Sequence, residues 1–165
     1  MTTENERVTA GHHAELAASD IETADPERLS LVPVLLDETG ETDAEPRFVL
    51  VRWPDWPPPA MLSMVPPGAY DTLADAAASL LDGRLRLTVA GEPRIAARRI
   101  PVRMPAPRMG LNGTGWLRAV LVPVSGTPEP DSLLDGFVLL TRSEALATLS
   151  TEVERMLLQD AADLL

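Results

Sequence analysis

The chain has 165 residues and a formal net charge of −11, with 25 acidic side chains, 14 arginines, no lysine and no cysteine. This length suits one domain with a buried core, and the lack of cysteine excludes disulfides, a thiol nucleophile and a thiolate zinc site. No apolar run approaches the roughly 20 residues that cross a bilayer, and no secretory signal pattern opens the chain, so we expect a cytoplasmic protein without a membrane partner.

The acidic charge is concentrated near the N-terminus. Residues 1–45 carry a net charge of −10, whereas residues 46–165 carry −1. Nucleic-acid binding requires a basic face that neutralises phosphates, and this balance argues against it. Residues 1–28 are polar, acidic and poor in aromatic side chains, which predicts a flexible acidic tail. Residues 29–165 are predicted to form a single domain.

A β-hairpin is predicted to open the domain. Leu29–Leu36 is apolar and reads as a strand, in which Pro33 indicates an edge position or a bulge. The charged, turn-rich segment Asp37–Pro46 separates it from a return strand at Arg47–Arg52.

Four prolines in Trp53–Pro59 predict a stiff loop rather than regular structure, because proline removes backbone donors and fixes φ. Two tryptophans lie in this segment. Trp53 and Trp56 are candidates for a stacking platform that binds a flat ligand. The alternative is that they cap one end of the core.

An amphipathic helix is predicted from Asp71, as N-cap, to Leu81, with Gly83 as its C-terminal stop. Asp71, Asp75 and Asp82 share the side opposite the apolar residues. A solvated helix face explains them, and so does the start of a divalent-cation site, because such cations require converging carboxylates. However, Asp71 and Asp82 are three turns apart, too far to share one ion unaided.

Five arginines and no acid lie between Arg94 and Arg108. The apolar alternation of this segment changes phase, which predicts a β-bulge near Arg98–Arg99. Arg99 and Arg103 should then share a face, and guanidinium groups suit phosphates and carboxylates. The pair is therefore the best candidate for binding an anion or a partner, the alternative being a charged, solvated edge strand.

Two strands and two helical segments complete the predicted fold. Trp116–Val124 and Gly136–Leu140 read as strands, with Trp116 assigned to the core. Ser143 is predicted to cap a helical turn, and Thr151 with Glu154 matches a capping box that opens the last helix. The apolar stripe of that helix packs on the sheet or on a second subunit, which allows a homodimer.

This order predicts an α/β (α+β) sandwich with a mixed sheet, and it resembles the Nudix (MutT-like) family over about residues 29–160. The resemblance rests on FVLVR at residues 48–52, MVPPG at 64–68, where the family has Leu-Pro-Gly-Gly, the alanine-rich helix around Ala76-Ala77, AVLVP at 119–123 and DGFVLL at 135–140. It implies a Nudix-like mixed β-sheet sandwiched between helices.

The family motif, G-x5-E-x7-R-E-U-x-E-E-x-G-U, is degenerate in this chain. In the family its glutamates hold magnesium or manganese and help to activate a water that attacks a diphosphate. Counting from Gly68 without gaps places Arg86 and Leu87 at the Glu-Glu pair, whereas aligning the alanines places Asp82-Gly83 there. Asp82 is then the only carboxylate that survives, so we expect no metal, or Asp82 if any, and no cofactor.

Two functional hypotheses follow from the resemblance. The first is a non-catalytic binding or regulatory module for a nucleotide-like or other anionic ligand, or for a protein partner, which uses Trp53, Trp56, Arg99 and Arg103. The second is a divergent hydrolase of a nucleoside diphosphate derivative, with Mg²⁺ or Mn²⁺ held by Asp71, Asp75 and Asp82 and by Glu129 or Asp131 from a loop. A third, structural hypothesis is an oligomerising accessory protein whose acidic tail binds a basic partner.

Overall fold

The computed structural model describes residues 27–36, 44–64, 70, 72–103 and 114–165, and the predicted tail lies outside these ranges except for Glu27 and Arg28, which begin the first strand. The strands are β1 (Glu27–Leu35), β2 (Arg47–Trp53), β3 (Trp56–Ala60), β4 (Leu62–Met64), β5 (Thr88–Val89), β6 (Arg94–Ile95), β7 (Ile100–Arg103), β8 (Thr114–Ser125) and β9 (Gly136–Leu140). The helices are α1 (Leu73–Leu85), α2 (Arg142–Thr148) and α3 (Glu152–Ala162).

All these strands belong to one mixed sheet with β1 and β8 at its centre. The two strands run parallel, from the pair Glu27–Trp116 to the pair Leu35–Val124. On its other edge β1 pairs antiparallel with β4 and then with β2, and β2 also pairs with β3 and β9. On its other edge β8 pairs with β5, β6 and β7. Within the described residues, no helix is both long and apolar enough to cross a membrane.

Each face of the sheet carries its own hydrophobic core. Alternate residues of the central strands point to opposite faces, so that Val32 and Phe48 join a core with α2 and α3. Leu31 and Val49 join a second core with α1. We call the latter side of the sheet the α1 face. The predicted sandwich of a mixed sheet between helices is confirmed, and the apolar stripe of the last helix packs against the sheet.

The expectation that Pro33 marks an edge or a bulge is wrong. Pro33 pairs in register with Val122 in the middle of the sheet. On the opposite edge of β1, pairing with β4 ends at Leu31 and pairing with β2 begins at Val34. Pro33 lies in the gap between these partners, so on that edge its missing N–H removes no ladder pairing.

The predicted stiff loop at Trp53–Pro59 is also wrong, because most of it belongs to β3. Proline fixes φ at a value that extended backbone accepts. The register between β2 and β3 is irregular, with paired residues only at Trp53–Trp56 and Val51–Ala60. The intervening prolines therefore sit where the ladder requires few donors. The Arg52 guanidinium donates to the Pro57 carbonyl at 3.2 Å and ties the two strands together.

Helix α1 is longer than predicted at its C-terminus. Thr72 is its N-cap, and its Oγ1 accepts from the Asp75 N–H at 3.1 Å; the predicted cap Asp71 lies outside the described residues. Gly83 does not stop the helix, which continues to Leu85, a buried residue. Arg86 ends it in the left-handed region, with φ of 54°.

The predicted irregularity near Arg98–Arg99 takes the form of a break between two short strands. Ile95 pairs with Val120 and Ile100 pairs with Leu117, so the register against β8 shifts by two residues. The Ala96 N–H still donates to the Ala119 carbonyl at 2.8 Å. This break leaves Arg99 just before β7 and Arg103 at its end.

The C-terminal helices begin at threonines. The cap of α2 is Thr141 rather than the predicted Ser143, and Thr141 forms a capping box with Glu144. The Thr141 N–H and hydroxyl donate to the Glu144 carboxylate, which lowers its pKa. The predicted start of the last helix is confirmed, since Thr151 Oγ1 accepts from the Glu154 N–H at 3.2 Å.

Candidate functional site

The two tryptophans of the predicted platform lie on the α1 face. Trp53 follows the buried residues Val49 and Val51 of β2 at two-residue spacing and packs against the same core. Trp56 is its register partner across a two-residue turn, and register partners share a face. Both rings are half-buried.

The two predicted arginines lie on the same face, on the other side of the central strands. Glu27 of β1 pairs with Trp116 of β8, and Trp116 pairs with Pro101 of β7. Trp116 is four residues before Val120, which belongs to the α1-face core, so its ring is on that face. Arg103 is two residues after Pro101, and the Arg99 guanidinium lies 5.3 Å from the centroid of the Trp116 ring.

The structure therefore brings the four predicted ligand-binding residues to one face but not to one point. The tryptophan pair is on β2 and β3 and the arginine pair is at β7, with β1 and β8 between them in strand order. At about 4.8 Å per spacing, the three spacings from β2 to β7 separate the two pairs by roughly 14 Å or more. Met64 and Leu29, which pair with each other, lie between them on the same face.

Positive charge exceeds negative charge around Trp116. The Arg99 Nε donates to Glu27 Oε1 at 3.3 Å. Arg118, two residues along β8 from Trp116, donates twice to the neutral Ala96 carbonyl, at 3.0 and 2.9 Å. Arg103 is exposed and has no ion pair within the described part of the chain. We call Glu27, Arg99, Arg103, Trp116 and Arg118 the Trp116 cluster.

The acidic residues of α1 do not converge. Asp75 accepts from the Thr72 hydroxyl at 2.8 Å in the first turn of the helix. Asp82 is exposed and lies seven residues further on, about 10 Å along the axis at 1.5 Å per residue. These two carboxylates are therefore too far apart to share one metal ion.

The loop carboxylate Asp131 faces a cation of helix α1. Arg84 Nη1 donates to Asp131 Oδ2 at 2.6 Å. The backbone joins the same two segments, since the Asp131 N–H donates to the Arg84 carbonyl at 2.9 Å and the Glu129 N–H donates to the Leu85 carbonyl at 2.7 Å. The hydrogen bond from Arg84, followed by that from the Leu133 N–H, lowers the pKa of Asp131.

A divalent cation, which the family resemblance implies, does not fit these donors. Among residues 27–36, 44–64, 70, 72–103 and 114–165, no three acidic or histidine side chains come together as metal ligands. The loop carboxylate Asp131 is already neutralised by Arg84. The third candidate, Asp71, lies outside the described residues.

Comparison with known proteins identifies the fold. No protein-family model and no curated protein matches the chain. The Nudix domain of Shewanella oneidensis NrtR, solved with ADP-ribose, has a TM-score of 0.60 at 11% identity and covers 91% of this chain and 96% of its own. A C. elegans Ap4A hydrolase has a TM-score of 0.58 at 11% identity and covers 84% of this chain and 96% of its own. The E. coli dihydroneopterin triphosphate pyrophosphohydrolase has a TM-score of 0.51 at 12% identity and covers 79% of this chain and 92% of its own. The chain therefore has a Nudix fold.

Proposed function

We propose that this Nudix fold is a non-catalytic module that binds a nucleotide-like, anionic ligand on the α1 face and requires no metal. The observation that carries the proposal is the Arg84–Asp131 ion pair at 2.6 Å. It joins the helix that corresponds to the degenerate motif with the loop after β8 through a guanidinium instead of a metal ion.

The end of α1 supports an alignment with the motif. A left-handed helix end favours glycine, and the motif has one glycine after its Glu-Glu pair. Setting that glycine at Arg86, where φ is 54°, places the hydrophobic motif positions at the buried residues Leu81 and Leu87. It places the Glu-Glu pair at Gly83-Arg84, one residue later than the alignment on the alanines. A positive charge then replaces a motif carboxylate.

The same geometry weighs against the hydrolase hypothesis. Metal-assisted attack on a diphosphate requires several carboxylates around the ion. Asp75 and Asp82 lie about 10 Å apart along the helix axis, and Asp131 is bound to Arg84. The excess of arginines around Trp116 suits an anionic ligand instead, and ADP-ribose in the NrtR Nudix domain supports a nucleotide-like chemical class.

The first prediction concerns turnover. The purified protein, incubated with Mg²⁺ or Mn²⁺ and with ADP-ribose, nucleoside triphosphates or diadenosine tetraphosphate, should release no product above the enzyme-free rate, because the described carboxylates do not assemble around one ion. Product release is measured by chromatography. Calorimetry in EDTA should detect binding of at least one of these compounds.

Metal-dependent turnover would overturn the proposal, and its loss in both Asp75→Asn and Asp82→Asn would support the hydrolase hypothesis. If the protein shows neither turnover nor nucleotide binding, the proposal is also overturned, and a protein partner becomes the next hypothesis.

A further inference from the structure

We infer that the Trp116 cluster is the subsite for a nucleobase and its nearest phosphate, and that the Glu27 carboxylate takes the place of that phosphate when no ligand is bound. This inference rests on the proposed function, since it assumes a nucleotide ligand. It adds the location of the base, the residue that binds the phosphate and an internal competitor.

The Trp116 ring already binds a planar cation. The Arg99 guanidinium lies over the ring at 5.3 Å from its centroid, and an aromatic face that accepts a guanidinium also stacks a nucleobase. Trp116 is half-buried, so the fold covers part of the indole and leaves the rest accessible. The stacking surface is therefore preformed, with Arg99 as its resting occupant.

Arg99 is held weakly enough to move. Its side chain is 51% exposed and its contact with Glu27 is a single hydrogen bond of 3.3 Å. Exposed ion pairs of this kind contribute little stability. A base that stacks on Trp116 displaces the guanidinium from the ring, and its phosphate then replaces Glu27 as the partner of Arg99.

The neighbouring charges favour a phosphate at this position. Arg103 and Arg99 flank Pro101, the register partner of Trp116, and Arg118 is on the same face two residues from Trp116. The Ala96 carbonyl fixes Arg118 without neutralising it. Phosphates bind best where several guanidinium groups converge, and Glu27 is the carboxylate that opposes them in this cluster.

The second prediction is that Glu27→Gln tightens ADP binding. Removing the competing carboxylate frees the Arg99 guanidinium, and we expect Kd to fall by about threefold or more. Arg99→Gln and Trp116→Leu should raise Kd by at least about tenfold, through the lost charge and the lost stacking. Trp116→Phe should retain most of the affinity. Binding is measured by calorimetry in EDTA, with each fold checked by circular dichroism.

Arg98→Gln is the matched control. Arg98 is adjacent to Arg99 and similarly exposed, at 48%, but its guanidinium binds Asp160 of α3 at 2.7 and 2.8 Å. Its substitution should change Kd by less than about twofold. Adenosine and pyrophosphate are additional probes, and each should bind more weakly than ADP because each occupies half of the subsite.

The subsite is overturned if wild-type protein does not bind ADP, if Glu27→Gln weakens binding, or if Trp53→Leu abolishes binding while Trp116→Leu does not. If Trp116→Leu fails to fold, the ADP affinities of Glu27→Gln and Arg99→Gln test the subsite instead. These measurements contain no metal, so they are independent of turnover. Metal-dependent hydrolysis would overturn the non-catalytic proposal but not the assignment of the nucleobase to Trp116.

Discussion

Replacing Arg84 by glutamate should destabilise the protein by about 2 kcal/mol at neutral pH and lower its melting temperature by roughly 4–8 °C. The substitution turns a 2.6 Å ion pair with Asp131 into a contact between two carboxylates. The side chains of Arg84 and Asp131 are 33% and 21% exposed, and solvent screening keeps the effect below that of a fully buried pair. Thermal unfolding followed by circular dichroism measures it.

Arg84→Gln is the matched control, because it removes the positive charge without adding a negative one. We expect it to cost about 1 kcal/mol. The pKa of Asp131 is lowered in the folded protein, so the stabilisation by the ion pair is complete above the unfolded pKa near 4. It is lost as pH falls through the lower folded pKa. The difference in stability between wild type and Arg84→Gln should therefore disappear at acidic pH.

Mn²⁺ gives this substitution a second readout. Two carboxylates in contact attract a divalent cation, so Mn²⁺ should raise the melting temperature of Arg84→Glu by an amount that increases with its concentration. Wild type and Arg84→Gln should not respond. Equal melting temperatures for the two variants, with no effect of Mn²⁺ on either, would contradict the assignment of residue 84 as the partner of Asp131.

The strands were predictable where local patterning determines them. β2, β8 and β9 are apolar runs between turn residues, and the fold class followed from their order. The two errors at prolines have a common cause. Whether a proline disrupts a strand depends on which partner lies opposite it, and the gap opposite Pro33 and the irregular register around Pro57 are set by distant residues.

The sequence singles out candidate residues one by one but not their arrangement in space. Arg99 and Arg103 stood out because no acid interrupts their segment, and the two hairpin tryptophans stood out by type. The sequence pattern assigns Glu27 to the tail and Trp116 to the core. Their shared face follows only from the parallel register of β1 and β8, which joins segments about 90 residues apart. The sequence also does not reveal Arg84 and Asp131 as a pair, because they are 47 residues apart in the chain.

The largest effect on stability is expected from Leu81→Ala. Leu81 is fully buried between α1 and the sheet, and removing its side chain should leave a cavity that costs about 3 kcal/mol. The expected decrease in melting temperature is roughly 6–12 °C. Because alanine is the better helix former, the loss would reflect packing and not helix propensity. Thermal and urea unfolding measure it.

Leu80→Ala is the control, since it makes the same change one residue earlier in the same helix, where the side chain is only partly buried. It should cost clearly less, and Leu85→Ala, at a second fully buried position, should cost about as much as Leu81→Ala. Adjacent helical residues differ by about 100° around the axis. Equal losses at Leu80 and Leu81 would therefore mean that α1 is rotated, which would also carry Arg84 away from Asp131. The stability of these leucine variants thus tests the orientation on which the ion pair, and with it the proposed absence of catalysis, depends.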